Sequence, residues 1–321
     1  MSSPITDKID VHNHFIPPFY AKAVLEAGGD PSGWTTPAWS STSALTLMEK
    51  AGISKAILSL TAPGVEIASG KELQIKLARD VNNYAAKLRD AHPNSFGFFA
   101  AVPSLLDTEE ALEEISYALD NLHADGVTLF TRYGSSNYYL GHESFKPIWE
   151  ALNKRKAVVF IHPTHPVDTN LVNKVLPQPV LDYPHESTRT AFDLILSGTK
   201  RAFPNCKIIL SHGGGTLPFL LTRAAELVPR LPKTFGTTMT SEEIVEDAKT
   251  FYFDLALATS PQILDTLLKY VPTDRILFGS DTPYAPDGAV YAFNKYLNDY
   301  PLDEETRNKL AFGNAMKLFQ D

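Results

Sequence analysis

Cysteine is nearly absent: Cys206 is the only one in 321 residues. No internal disulfide framework can form, and a reducing compartment is expected. Cys206 opens the apolar run Cys206-Lys207-Ile208-Ile209-Leu210 and is expected in the core rather than as a nucleophile. Positive charge is also in deficit, with 29 Lys+Arg against 37 Asp+Glu for a formal charge of −8. No basic run stands out, which argues against nucleic acid as a partner and leaves a small molecule. No segment approaches the ~18 apolar residues of a membrane span. Met1 to Asp7 shows no basic stretch leading into an apolar one, so a soluble cytoplasmic protein without a membrane partner is expected. No Gly-x-Gly-x-x-Gly opens a helix after the first strand, and no Gly-x-Ser-x-Gly elbow occurs anywhere.

What is present is a regular alternation. A chain of this length that is 44% hydrophobic can bury a large core, as one barrel or two ordinary domains. Short apolar runs recur at 8–14, 55–60, 96–102, 126–130, 157–161, 207–210, 251–255 and 275–281. Patterns of helical spacing separate them, such as Leu73, Leu77, Val81, Tyr84 and Leu88 before Pro93. Strands apolar on both faces, alternating with helices, indicate a parallel sheet covered on its outside. Eight units predict a single (β/α)8 TIM-like barrel domain over residues 1–321, with loop insertions at the C-terminal face; an open doubly wound sheet is the competitor. Two insertions stand out. Ser32 to Ser41 carries Trp34 and Trp39, which either cover a substrate mouth or pack on the barrel wall, and Pro163 to Tyr183 precedes a helix expected over His185 to Phe203.

The metal-competent residues fall at strand ends. The first strand ends in His12-Asn13-His14, and side chains two apart on a strand share a face about 7 Å apart. Alone, the pair is either a metal site or a solvated cap on an edge strand. His162 ends the fifth strand, His212 follows the sixth and Asp281 the eighth. In a barrel all these ends converge on one mouth, where the active sites of such enzymes lie. Imidazole and carboxylate donors without thiolate suit one divalent ion, Zn²⁺ first with Mn²⁺ or Fe²⁺ as alternatives, at a catalytic rather than structural site. The His212-Gly213-Gly214-Gly215 run has the look of an esterase oxyanion loop, but without an elbow its glycines are better explained by a tight strand-to-helix turn and close approach of backbone to ligand.

These phrases carry a resemblance. Ile9-Asp10-Val11-His12-Asn13-His14, Leu210-Ser211-His212-Gly213-Gly214-Gly215, Phe278-Gly279-Ser280-Asp281-Thr282-Pro283 and Gly313-Asn314-Ala315-Met316-Lys317-Leu318-Phe319 resemble the amidohydrolase superfamily. Within it they are similar to the branch typified by α-amino-β-carboxymuconate-ε-semialdehyde decarboxylase. His14-Phe15-Ile16-Pro17-Pro18-Phe19-Tyr20 and Ala27-Gly28-Gly29-Asp30 extend the likeness to the 6-methylsalicylate decarboxylases of fungal polyketide pathways. The binuclear members of the superfamily carry a bridging lysine after the fourth strand; here that strand runs into Phe130-Thr131-Arg132-Tyr133. The resemblance therefore implies one ion, held by His12, His14, His162 and Asp281, with no organic cofactor.

It also implies a reaction, non-oxidative decarboxylation of a small ortho-hydroxy aromatic acid, with Asp281 as proton donor and His212 orienting it or relaying protons. Hydrolysis of a lactone or amide on the same site is the alternative, and a non-catalytic metal scaffold a third. An anionic substrate calls for a cation: Arg223, in the resembled decarboxylase a residue reaching the neighbouring subunit's site, and Arg189 are the candidates, each otherwise a helix-surface ion pair. A homodimer or larger homo-oligomer follows if Arg223 works in trans. Phe15, Trp34, Trp39 and Tyr284 are the candidate aromatic walls.

Overall fold

Eight runs of apolar residues pair in sequence order because each is hydrophobic on both faces and must be covered on both. In the computed structural model, which describes residues 6–232, 234, 236 and 238–320, they are β1 (Lys8–His14), β2 (Ile53–Ser59), β3 (Phe96–Ala101), β4 (Gly126–Phe130), β5 (Val158–His162), β6 (Lys207–Leu210), β7 (Tyr252–Asp254) and β8 (Ile276–Leu277). All neighbours pair in parallel in the order β1 to β8. β8 itself is short, and the residues after it close the barrel against β1: Val11 N donates to Phe278 O at 3.0 Å, Asp281 N to His12 O at 2.8 Å and His14 N to Thr282 O at 2.6 Å. The expected (β/α)8 barrel is the architecture found. Residues 1–5, part of the N-terminal stretch read above for a leader, lie outside the described residues.

Alternation along each strand divides the core in two. Ile57, Phe99, Phe160, Ile209 and Leu277 point inward into one small cluster, joined from below by Ala315 and Leu318 of the C-terminal helix Asn314–Gln320. Their neighbours, such as Leu58, Phe98, Val159 and Leu210, point outward under the helices. Cys206 is buried in that outer layer, and burial pushes its thiol up to about 12, as expected of a core residue.

Two features differ most from the sequence expectation. The helix expected from His185 begins at Gln178 and ends at Leu196, with Pro184 inside it. Pro179 sits in the first turn, where a missing N–H costs nothing. Pro184 gives up one internal bond, while the Thr188 hydroxyl donates to its carbonyl at 2.9 Å. A two-residue ribbon, Arg132–Tyr133 against Tyr138–Tyr139, follows β4; such short pairings leave no periodicity to detect. Among the described residues, no helix is long and apolar enough to cross a membrane.

Candidate metal centre and the cavity above it

The first strand does not run straight into the site. Asp10 pairs with Ala56 and Asn13 with Leu58, so three steps on β1 oppose two on β2, which is a bulge. Simple alternation would put Val11 and His12 on opposite faces. Instead Val11 belongs to the inward cluster, and the His12 ring lies 5.0 Å from the inward Phe160 ring. Asp10 pins the bulge from within: it accepts from His12 N at 3.1 Å, Asn13 Nδ2 at 2.9 Å, Ser280 N at 3.0 Å and Ser280 Oγ at 2.5 Å. One buried carboxylate thus ties the strand carrying His12 and His14 to the segment carrying Asp281.

His12, His14, His162 and Asp281 each place one ligand atom so that all lie within 4.8 Å of one another. Each imidazole is oriented from behind. His12 Nδ1 lies 2.9 Å from Asp254 Oδ2, His14 Nδ1 lies 3.2 Å from Ser59 O, and His162 Nδ1 lies 2.7 Å from Pro163 O. His14 Nδ1 also lies 2.9 Å from Ser59 Oγ, whose own proton goes to Asn13 O at 3.2 Å, so each Nδ1 donates to an oxygen and each Nε2 is left to face the centre. His12 Nε2 and His14 Nε2 are 3.1 Å apart, and Asp281 Oδ1 is 3.3 Å and 3.2 Å from them. Lone pairs and a carboxylate converging on one point repel unless a cation sits among them; the donor set fits a divalent ion.

The electrostatics call for positive charge at this point. Burial opposes charge on His12, yet the carboxylates of Asp254 and Asp281 overcome it and raise its proton affinity to about 10. His162, buried among the other imidazoles, is driven well below the ordinary range. Burial works against the Asp281 carboxylate, but the surrounding His12, His14 and His212 hold it well below the usual carboxylate range.

His212 completes the cluster, its Nε2 3.6 Å from Asp281 Oδ2. His212 and Asp281 both have positive φ, 55° and 63°, a conformation side chains seldom adopt and one concentrated at functional sites. Asp254, at the end of β7, carried no signal beyond its place at a strand end and was not anticipated; it also accepts from His212 N at 3.1 Å and Ala256 N at 3.0 Å. The glycines after His212 serve a turn, with φ between 64° and 75°. The close approach they permit is to protein: a Cβ on Gly214 would lie 2.7 Å from the Phe253 ring, and one on Gly215 1.9 Å from Pro184 O.

Above the cluster opens a cavity of about 600 Å³ whose lining includes His162, His212 and Asp281. Trp34 and Tyr284 line it; Phe15, Trp39, Arg189 and Arg223 do not. Phe15 directly follows His14 and so faces the other way, packing on Trp39 and Tyr84 with ring centroids 6.2 Å and 6.3 Å away. Of the two tryptophans, one covers the mouth and one packs behind it. Arg189 pairs with Glu186 at 3.2 Å and lies over the Tyr139 ring. Arg223 is exposed on the helix Leu217–Leu227. Tyr183 and Asp30 line the cavity without having been anticipated, and burial raises the proton affinity of both. Among the described lining residues there is no lysine or arginine.

An eight-stranded parallel barrel with three histidines and an aspartate gathered at its C-terminal mouth is the arrangement of a metal-dependent amidohydrolase. Residues 9–320 match the amidohydrolase family model, and the chain belongs to that family. A 6-methylsalicylic acid decarboxylase of Penicillium expansum is 51% identical over 312 residues, covering 97% of this chain and 96% of that protein. The solved structure of an amidohydrolase II superposes with a TM-score of 0.89 at 28% identity, covering 98% of this chain and all of that one. A dihydroxybenzoic acid decarboxylase from Polaromonas sp. JS666, solved with manganese and 2-nitroresorcinol, shares the fold at a TM-score of 0.84 and 24% identity, over 98% of this chain and 97% of its own.

Proposed function

We propose that this protein is a metal-dependent, non-oxidative decarboxylase of a small ortho-hydroxy aromatic acid resembling 6-methylsalicylate. The observation that carries the reading is a mouth with four converging ligand atoms beneath a cavity without a lining cation among the described residues, in a chain half identical to a decarboxylase of that acid. With no arginine or lysine among the described lining residues of this chain, a buried carboxylate draws its counter-charge from the ion and from a cation brought by a neighbouring subunit.

His12, His14 and His162 would hold the ion through Nε2, and Asp281 through a carboxylate oxygen. When bound, the ion would supply Lewis-acid polarisation of the substrate's carboxylate and neighbouring hydroxyl. Zn²⁺ is the ion we favour, with Mn²⁺ or Fe²⁺ served by the same donors. Asp281 delivers a proton to the ring carbon bearing the carboxylate. Its conjugate base is held strongly anionic, so it needs resupply, and His212 beside it relays that proton. The bond to the carboxylate then breaks, CO₂ leaves, and the electron pair restores the aromatic ring. No organic cofactor is required, because the protonated ring accepts the electrons. Trp34, Tyr183 and Tyr284 flank the ring, and water is kept from it by the insertions over the mouth.

Arg223 in this reading reaches a neighbouring subunit's cavity, making the working unit a homodimer or larger homo-oligomer. The whole chain works as one domain in the cytoplasm, within polyketide metabolism. The test is CO₂ release from 6-methylsalicylate and other ortho-hydroxybenzoates, abolished by chelation and restored by a divalent ion, with elemental analysis of protein purified without chelator. Turnover of lactones or amides without CO₂ overturns the reading in favour of a hydrolase.

A further inference from the structure

The cavity is larger than the ring the centre would hold. Pockets of about 300–1,000 Å³ enclose drug-sized ligands, and at about 600 Å³ a one-ring acid with a methyl group leaves much of this space unfilled. The excess has a direction and a chemistry. Its deep end is polar and belongs to the centre: His162, His212, Asp281 and the buried Thr61. Leu257, Ala258, Ile263, Pro286, Ala289 and Phe293 give it an apolar side, and Ile263 and Pro286 of that side are exposed. Ala289 and Phe293 stand one turn apart on the helix Asp287–Asp299, and so share a face. Ile263 adjoins the loop after His212, its Cγ2 3.8 Å from where a Cβ on Gly213 would stand. Val180 also lines the cavity. In the single chain Val180 and Ile263 are 56% and 38% exposed, and apolar side chains open to water at a cavity are ones that another apolar group covers.

Resting on the decarboxylase reading, we propose that the outer cavity is a site for an apolar chain on the aromatic acid, and that the protein decarboxylates ortho-hydroxybenzoates whose 6-alkyl group is several carbons longer than methyl. The chain lies along the wall formed by Leu257, Ile263, Ala289 and Phe293 while the carboxylate and hydroxyl face the histidine cluster. The chemistry balances as for the methyl compound: one proton replaces one CO₂ on the ring, and a 6-alkylsalicylate gives a 3-alkylphenol.

The test is a homologous series of salicylates with methyl, propyl, pentyl and heptyl groups at carbon 6, assayed for CO₂. In parallel, binding of the matching 3-alkylphenols to the metal-loaded protein is measured by calorimetry. Each added methylene buried on the wall tightens phenol binding by about fourfold, with a heat-capacity change that becomes more negative with chain length. The Michaelis constant of the acids falls along the same series, and kcat/KM for the pentyl acid equals or exceeds that for the methyl acid. Ile263→Asp, which places a charge on the wall, lowers the preference for pentyl over methyl at least tenfold. Turnover of the methyl acid with none of the propyl or pentyl acids, or phenol affinity independent of chain length, overturns the proposal. Chain-dependent phenol binding without CO₂ from any acid leaves the chain site standing as a binding site and overturns the decarboxylase reading instead.

Discussion

At the scale of single residues, Asp254 sets the chemistry of the centre without touching the converging atoms. Its Oδ1 takes two backbone amides, from His212 and Ala256, and its Oδ2 takes His12 Nδ1. In Asp254→Asn the amide oxygen keeps the two backbone donors, which turns Nδ2 toward His12. An N–H there forces His12 Nδ1 to accept, so the ring proton moves to Nε2 and the lone pair that faces the centre is lost. We expect divalent-metal affinity to fall about 10–100-fold, measured by competition with a chromophoric chelator, with decarboxylation falling in parallel and the folded fraction preserved. Unchanged affinity would remove Asp254 from this role. The first-strand histidine pair was visible as a short spacing in the sequence. Its orienting partner was not, because an aspartate at a strand end has the same local signature whether it caps a turn or buttresses an imidazole.

At the scale of elements, the site depends on contacts where no side chain can fit. Gly215 has φ +64°, and a Cβ there would meet Pro184 O at 1.9 Å and Thr188 Oγ1 at 3.0 Å. Thr188 Oγ1 in turn accepts from Thr216 N at 2.8 Å, so the loop after β6 is seated against the helix Gln178–Leu196. Gly198 also has a positive φ, +77°, in the left-handed region at ψ 1° and with nothing within 4 Å, whereas Gly215 has ψ −123°. Gly198→Ala should therefore cost only the conformational penalty, about 1 kcal/mol. Gly215→Ala adds overpacking of about 1–3 kcal/mol and displaces the loop holding His212. Chemical denaturation of the two variants measures the difference, and equal losses would contradict the seating described. The bulge in β1 is of the same kind: it follows from Asp10 bonding Ser280 across the barrel seam, and nothing in the local alternation of residues 8–14 announces it.

At the scale of the whole molecule, ligand atoms from two strands, β1 and β5, and the segment closing the barrel meet at one point. An ion bound there stabilises the folded chain alone, because the unfolded chain does not hold His12, His162 and Asp281 together. By mass action, an ion present at a thousand times its dissociation constant adds about 4 kcal/mol, and with an unfolding entropy of about 2.1 cal/mol/K per residue a domain of 321 residues moves its midpoint by about 1.5 °C per kcal/mol. Exhaustive chelation should lower the melting temperature by roughly 6 °C, reversed by adding back the ion. No shift on chelation, with activity intact, would mean that the cluster holds no metal. Double substitution of His12 and His14 by alanine should erase the chelator's effect.

Several features of this protein were already determined by its sequence. Eight apolar runs separated by helical patterns specify a parallel barrel, since such strands have to be covered on both faces. Their C-terminal ends carry His12, His14, His162, His212 and Asp281, and that topology makes the ends converge. Tertiary structure decided what local pattern cannot encode. The bulge that turns His12 inward, the carboxylate of Asp254 behind it, the outward packing of Phe15 and the apolar wall from Leu257 to Phe293 all depend on which surfaces meet. Periodicity reports the face a side chain shares with its neighbours along one element. It carries no record of what stands opposite, and the cavity above the centre is made of opposites.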